Sequence, residues 1–92
     1  MLKIHQLKSW PDYFEPVLAG LKNFELRHND RKFAVGDVLH LREFDDRKGT
    51  YTGRECRRRI TYMLDGIGPG AITPLKGLSR GYAILGLSAD ND

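Results

Sequence analysis

The stretch Gly20-Leu21-Lys22-Asn23-Phe24-Glu25-Leu26-Arg27 decides most of what can be predicted about this chain. Glycine readily adopts the positive φ of a residue just past a helix, so Gly20 marks a helix end at which the chain reverses. The residues that follow alternate in polarity, with Glu25 and Arg27 on one side. The stretch therefore predicts a helix that ends at Gly20 and a strand over 22–28, with Lys22 at the corner between them.

The segment before Gly20 has the pattern of a short helix that follows a strand. Residues 2–8 alternate and predict the strand. Ser9 can serve as the helix N-cap, and Pro11 and Asp12 suit the first turn. Pro16 weakens the middle of the helix, which is expected to be short or kinked. Apolar residues at helical spacing form the predicted buried stripe: Tyr13, Phe14, Val17 and Leu18.

The second half of the chain predicts three more strands, over 38–44, 51–63 and 82–87. Polar turns at 29–32 and 36–37 precede the 38–44 strand, and a turn at 45–49 joins it to the 51–63 strand. Gly53 is expected at a bulge. On the 51–63 strand, Cys56, Ile60 and Tyr62 fall on one face. The glycine- and proline-rich segment 64–80 is predicted to be a loop, and the polar tail 88–92 to fray. The order β-α-β-β-β-loop-β indicates an α+β fold, a small, partly closed mixed β-barrel of about five strands with one N-terminal helix.

Length and composition limit the function classes. A chain of 92 residues, 40% hydrophobic and 29% charged, is expected to form a single globular domain over 1–92. Its apolar runs are too short to cross a membrane, and its N-terminus lacks the apolar region of a secretory signal. The single cysteine, Cys56, cannot form an intramolecular disulfide. These features favour a cytoplasmic location.

Charge is unevenly distributed along the chain. The net charge is only +3, but the segment 47–59 contains six basic residues and one acid. Such a zone is typical of a nucleic-acid contact and also of a solvated strand face, and charge alone favours the solvated strand face. The basic residues are Arg47, Lys48, Arg54, Arg57, Arg58 and Arg59.

Polar residues at the helix–strand corner are the strongest candidates for a site. Glu25 and Arg27, two positions apart on one strand face, are roughly 7 Å apart along the strand. An arginine can fix a carboxylate by bidentate hydrogen bonds, and a fixed carboxylate can accept from the amino group of a base. With Lys22, the pair predicts a polar pocket for a planar ligand. The alternative is that both residues simply pair with other surface charges.

A wider pattern of residues resembles a known family. Gly20-x-Lys22-x-x-Glu25-x-Arg27 and Val35-Gly36-Asp37-Val38-Leu39 resemble the signature of ASCH domains, which belong to the PUA-like superfamily of small β-barrels associated with RNA. Between His5 and Leu87 the chain most resembles a small bacterial and phage family of unknown function within that superfamily. The residues that carry this likeness are His5, Leu7-Lys8, Tyr13-Phe14, Asn29-Asp30-Arg31, Phe33, 41–44, Tyr51-Thr52-Gly53-Arg54 and Gly81-Tyr82-x-Ile84-Leu85.

The resemblance implies a PUA-like pseudobarrel with a cleft that takes RNA or a nucleotide-like ligand. Lys22, Glu25 and Arg27 would line this cleft. Other candidate ligand-binding residues are His5, Lys8, Arg31, Tyr51 and Arg54, and a base could stack on an exposed Trp10. We expect no cofactor, and no metal site, because the histidines and the cysteine lack metal-ligand spacing.

An enzymatic branch of the superfamily offers an alternative. It resembles this motif and consists of amidohydrolases that remove the acetyl group from acetylcytidine, using a lysine, here Lys22, with a hydroxyl residue and a carboxylate. This chain has Glu25 where the hydroxyl residue would stand, and Asp65 is the one acid in 64–80. A carboxylate beside Lys22 favours its charged form, which suits binding better than base catalysis. A binding module is therefore ranked first, the amidohydrolase second, and a protein-interaction module remains a third possibility.

Overall fold

The computed structural model of this chain describes residues 2–89, so Met1 and residues 90–92 of the predicted frayed tail lie outside it. In residues 2–89 it contains six strands and one helix, an α+β arrangement. The elements in chain order are β1 (Ile4–Ser9), α1 (Pro11–Leu18), β2 (Phe24–His28), β3 (Val38–Asp45), β4 (Thr50–Gly66), β5 (Pro74–Leu75) and β6 (Tyr82–Leu87).

The strands form one mixed sheet in the order β1-β3-β4-β6-β2, with β5 paired to β4 off this path. The β1–β3 and β4–β5 pairs are parallel. The β3–β4, β4–β6 and β2–β6 pairs are antiparallel. The predicted small mixed sheet with one helix is confirmed. Within residues 2–89 no backbone pairing joins β1 to β2, so backbone hydrogen bonds do not close the sheet into a barrel.

The prediction of one loop over 64–80 was wrong at residues 64–66 and at residues 74–75, because both segments form strands. Strand β4 continues to Gly66, and residues 74–75 pair with its end. At Gly66 the strand runs against the backbone of Ser79, where an added Cβ would collide. Glycine at this position therefore permits a close approach rather than ending the strand.

Turn residues behave largely as their chemistry predicts. Gly20 ends the helix region with φ +78°, and Gly49 turns the β3–β4 hairpin with φ +71°. Gly53, with φ +93°, lies where the β3–β4 register shifts, which confirms the predicted bulge. A second register shift lies between Ile60 and Tyr62, and it leaves Tyr62 exposed although Ile60 is buried. The prediction that these two share a face was wrong, because an irregularity breaks the two-residue period.

The core lies between the helix and the inner face of the sheet. Phe14 and Val17 are the buried residues of α1, whereas Tyr13 and Leu18 of the predicted stripe are exposed. The helix has eight residues and includes Pro16, consistent with its predicted shortness. The sheet contributes a continuous apolar cluster around the helix: Leu7, Leu39, Leu41, Cys56, Ile60, Ala83, Leu85 and Leu87.

The sequence predicted Ser9 as the N-cap of the helix, and this prediction was wrong. The N-cap is Trp10, and no side chain caps the helix. Ser9 instead ends β1, with its Cα opposite that of Glu43 on β3. The strand continues one residue further than predicted, so the Ser9 side chain points with His5 and Leu7 towards the interior.

Two arginines bridge the sheet edges that the backbone leaves apart. Arg27, on β2, donates from Nη2 to the carbonyl oxygen of Lys8 at 2.9 Å. Arg31, in the turn after β2, donates from Nη1 to the carbonyl oxygen of Gln6 at 3.0 Å. Both carbonyls belong to β1, at the other end of the strand order. Side chains therefore hold β1 beside β2.

A buried polar pair anchors the other end of β1. His5 Nε2 lies 2.8 Å from Asp37 Oδ2, and the carboxylate also accepts from the backbone N–H groups of Lys3 and Ala34. Burial raises the pKa of the Asp37 carboxyl, but these hydrogen bonds outweigh it and place its pKa below the ordinary value. The charged carboxylate thus stabilises the turn before β3.

The lowered pKa of Asp37 predicts an acid-sensitive fold. A carboxyl whose pKa is depressed on folding contributes stability above its unfolded pKa, and this contribution is lost as the pH falls through the folded pKa. We expect Asp37→Asn to lower the free energy of unfolding by about 2 kcal/mol at pH 7. At pH 3 the difference from wild type should be smaller.

Urea unfolding at both pH values measures this difference. Asp46→Asn, in the exposed hairpin turn, is the matched control and should change stability little at either pH. A difference between wild type and Asp37→Asn that is equal at pH 3 and pH 7 would contradict the role assigned to the charge.

Candidate binding cleft

The helix–strand corner is built by the backbone around Gly20. The backbone N–H groups of Leu21 and Lys22 both donate to the carbonyl oxygen of Pro16, at 2.9 and 3.0 Å. These bonds satisfy a carbonyl at the helix end and turn the chain towards β2. Lys22 therefore lies in the connection between α1 and β2. The strand was predicted to begin at residue 22, but it begins at Phe24.

Strand β2 presents its charged side to the interior and its apolar side outwards. Glu25 is only 3% exposed, whereas Phe24 and Leu26 are 49% and 54% exposed. A buried carboxylate is tolerated only when it is paired and hydrogen-bonded. The inverted pattern therefore depends on the cations around Glu25.

Both oxygens of the Glu25 carboxylate are held by cations. Oε1 accepts from Lys22 Nζ at 3.0 Å, and Oε2 accepts from Arg27 Nε at 3.0 Å. Arg27 uses a second nitrogen for the Lys8 carbonyl described above. The ammonium, carboxylate and guanidinium groups predicted to share one recess do converge.

These groups line a cleft of about 700 Å³ beside the helix start. Its wall is largely apolar. Trp10 and Tyr13 stack with their ring centroids 6.4 Å apart, and Lys22 Nζ lies 5.3 Å from the Tyr13 ring. The lining residues are Lys8, Ser9, Trp10, Tyr13, Lys22, Phe24, Glu25, Leu26 and Arg27.

The cleft combines aromatic surface with excess positive charge. Lys22 and Arg27 contribute two cations, and Glu25 contributes the one carboxylate among the lining residues. Lys8 also lines the cleft, but its ammonium lies 4.3 Å from the centroid of the Phe44 ring, which is not part of the lining. Lys22 and Arg27 are partly exposed, with 18% and 28% of their side chains accessible. Such a cleft suits a ligand with a flat aromatic body and a negative charge.

Of the other residues that the sequence offered for ligand binding, Lys8 and Trp10 line the cleft. His5 is buried against Phe33, with ring centroids 4.7 Å apart, and pairs with Asp37. Arg31 binds the β1 backbone. Both have structural positions away from the cleft lining.

Tyr51 and Arg54 lie on the β3–β4 hairpin and not among the cleft residues. The Tyr51 ring contacts Phe44 edge-on, and the Arg42 guanidinium carbon lies 3.9 Å from the centroid of the Tyr51 ring.

Arg54 donates from Nε and Nη2 to the two oxygens of buried Glu43 and also pairs with Glu15. The hydrogen bonds from Arg54 hold the pKa of the Glu43 carboxyl below its usual value, against the effect of burial.

Several members of the basic zone over 47–59 are used within the fold. Arg58 is buried and donates to the carbonyl oxygens of Val17 and Arg57. Arg59 donates to the carbonyl oxygen of Gly36 at 2.7 Å. With Arg54 committed to carboxylates, the zone is not a uniform phosphate-binding surface. Arg47 and Lys48, at the hairpin turn, are exposed.

Sequence reasoning missed the outer wall of the cleft. Tyr13 was assigned to the buried helix stripe, and Phe24 and Leu26 carried no predicted role, yet all three line the cleft. Trp10 was considered as a stacking residue, and it is half exposed there. The sequence did contain a signal for this wall, because an aromatic residue lies on each side of Gly20, Tyr13 before it and Phe24 after it.

Among residues 2–89, no cluster of three or more histidine, cysteine or acidic side chains is placed to hold a metal ion. No helix within the same residues has the length and apolar character needed to cross a membrane.

Comparison with known proteins gives two matches. The family model of a domain of unknown function, DUF3850, matches residues 4–87. The chain is also similar to the uncharacterized 12.9 kDa protein in the GpA 3′ region of Escherichia phage P2, with 43% identity over 65 residues. The alignment covers 71% of this chain and 58% of the phage protein, so it spans less than two thirds of that relative.

Removing the Glu25 charge should destabilise the cleft. Glu25→Gln leaves two partly buried cations without their carboxylate, and we expect the free energy of unfolding to fall by about 2 kcal/mol. Glu55→Gln is the matched control, because Glu55 pairs with His40 and Arg42 but is half exposed. It should cost less than about 0.5 kcal/mol.

Chemical denaturation of the two variants and the wild type provides the comparison. Equal losses in Glu25→Gln and Glu55→Gln would show that the Glu25 pairs contribute no more than surface pairs do.

Proposed function

The chain belongs to the DUF3850 family, and we propose that it is an RNA- or nucleotide-binding module whose cleft takes a base and its phosphate. The observation that carries this proposal is the combination of a stacked aromatic wall with the Lys22–Glu25–Arg27 cluster in one recess. A nucleotide has the matching parts, a flat base and an anionic phosphate.

Base stacking would occur on the outer wall. Trp10 is 50% exposed and Tyr13 is 55% exposed, so both rings have surface to offer. A base stacked on an aromatic side chain gains about 1–3 kcal/mol. This contact tolerates any base, so it supplies affinity without sequence preference.

Phosphate contacts would come from the cations of the cleft. Lys22 gives one of its three donors to Glu25 and would bind phosphate as a point charge with the others. Lys8 would contribute by turning its ammonium from the Phe44 ring towards the cleft. Arg27 is tied to Glu25 and to the β1 backbone, so its main contribution is to position Glu25. The exposed hairpin residues Arg47 and Lys48 would add contacts that do not depend on sequence.

The ion pair with Glu25 favours binding over catalysis. Lys22 Nζ donates to Glu25 Oε1 at 3.0 Å, so the amine that would act on a substrate is engaged by a carboxylate of the fold. We therefore rank deacetylation of acetylcytidine second. No observation specifically supports a protein partner.

We also propose that the fold is a PUA-like pseudobarrel of the ASCH type. The support is the pair of arginine bridges from Arg27 and Arg31 to the β1 backbone, which bring the two ends of the strand order together through side chains. A cytoplasmic location remains a prediction from the sequence.

Binding to RNA should depend strongly on salt. We expect a labelled single-stranded 12-nucleotide RNA to bind more weakly as salt rises, with a log–log slope near −0.7 for each phosphate neutralised. Lys22→Gln should weaken binding and reduce the slope by about one such step. Trp10→Ala should weaken binding by about tenfold without changing the slope.

Fluorescence anisotropy across a salt series measures both affinity and slope. Lys76→Gln, outside the cleft lining, is the control for loss of a lysine. Unlabelled nucleoside monophosphates as competitors distinguish a free nucleotide ligand from an RNA strand. Binding that does not change with salt, or no binding at low salt, would contradict the proposal. Turnover of acetylcytidine that is lost in Lys22→Ala would place the amidohydrolase first.

A further inference from the structure

A buried hydroxyl in the cleft has no partner within the fold. Two buried side-chain polar atoms in residues 2–89 lack a hydrogen-bond partner, Ser9 Oγ and Asp65 Oδ1. Asp65 does not line the cleft, and its other oxygen accepts from the backbone N–H of Ile72. Ser9 does line the cleft and is only 2% exposed.

The carboxylate opposite Ser9 is engaged elsewhere. In the β1–β3 pairing Ser9 faces Glu43, which is also buried. Glu43 Oε1 accepts from the Thr52 hydroxyl at 2.7 Å and from Arg54 Nε at 2.9 Å, and Oε2 accepts from Arg54 Nη2. The carboxylate already accepts three hydrogen bonds from two residues, and none of them comes from Ser9.

An unpaired buried hydroxyl lowers the stability of the folded state. A hydroxyl buried without a hydrogen bond loses its bonds to water and gains none in return, and an alanine at this position would avoid that cost. The fold itself gains no hydrogen bond from Ser9. Because Ser9 lines the cleft, a ligand bound there is placed to provide the missing partner.

We infer that the Ser9 hydroxyl is a ligand-binding group that forms a hydrogen bond with the polar edge of the base in the cleft. This inference rests on the proposed function and adds a direct base contact to it. The hydroxyl can donate or accept, whereas Lys22 can only donate. Ser9 can therefore pair with either a donor or an acceptor on the base edge, while Lys22 remains the phosphate contact.

Ser9→Ala tests this inference because binding and stability should change in opposite directions. We expect the affinity for the 12-nucleotide RNA to fall by about tenfold, since a base atom loses its partner. We expect the thermal midpoint of the free protein to rise by about 4 °C, since a buried unpaired hydroxyl is removed. An abasic oligomer of the same length should bind wild type and Ser9→Ala equally.

Thr52→Ala is the matched control, because the Thr52 hydroxyl has a partner in the fold and lies outside the cleft lining. It should lower the thermal midpoint and leave the RNA affinity unchanged. Ser9→Cys, which retains a weak donor, should bind RNA with intermediate affinity.

The outcomes separate a failure of the Ser9 inference from a failure of the proposed function. If wild type binds RNA and Ser9→Ala binds it equally tightly, the Ser9 inference fails and the proposed function stands. A thermal midpoint that falls in Ser9→Ala would reveal a partner inside the fold and also overturn the inference. If wild type binds neither RNA nor a nucleotide, the proposed function fails, and the inference fails with it.

Discussion

The carboxylate of Glu25 is the group on which the cleft depends. It is buried in β2, and a buried charge without partners would be strongly unfavourable. Lys22 holds one oxygen and Arg27 holds the other, so the carboxylate joins the helix corner to the strand. Because Arg27 also binds the Lys8 carbonyl, the same network reaches β1. One charge cluster therefore positions three walls of the cleft.

Arginine has a second structural use in this small sheet. Edge strands expose backbone groups that need partners, and most folds cover them with further strands or with loops. Here the guanidinium groups of Arg27 and Arg31 reach two carbonyls of β1. Arg58 and Arg59 likewise donate to backbone carbonyls of Val17 and Gly36. Much of the positive charge of the arginines thus supports the backbone.

Stability and binding make opposite demands at the cleft. The outward-facing Phe24 and Leu26 leave apolar surface in contact with water, and Ser9 buries a hydroxyl without a partner. Both features cost stability in the free protein, and both provide surface that a flat polar ligand can use. The core beneath them is well filled, with Phe14, Leu39 and Leu85 fully buried. A well-packed core of this kind can offset the cost of these two features.

Local sequence was sufficient for features that depend on neighbouring residues. The helix end at Gly20, the hairpin turn at Gly49, the bulge at Gly53 and the convergence of Lys22, Glu25 and Arg27 all follow from residues a few positions apart. Tertiary structure alone decided which side of β2 faces inwards. It also decided that Ser9 ends a strand rather than capping a helix, that Tyr62 turns outwards, and that 74–75 pairs with β4. The physical reason is that pairing across the sheet and burial against distant residues set these orientations, and neither is encoded in the spacing of adjacent side chains.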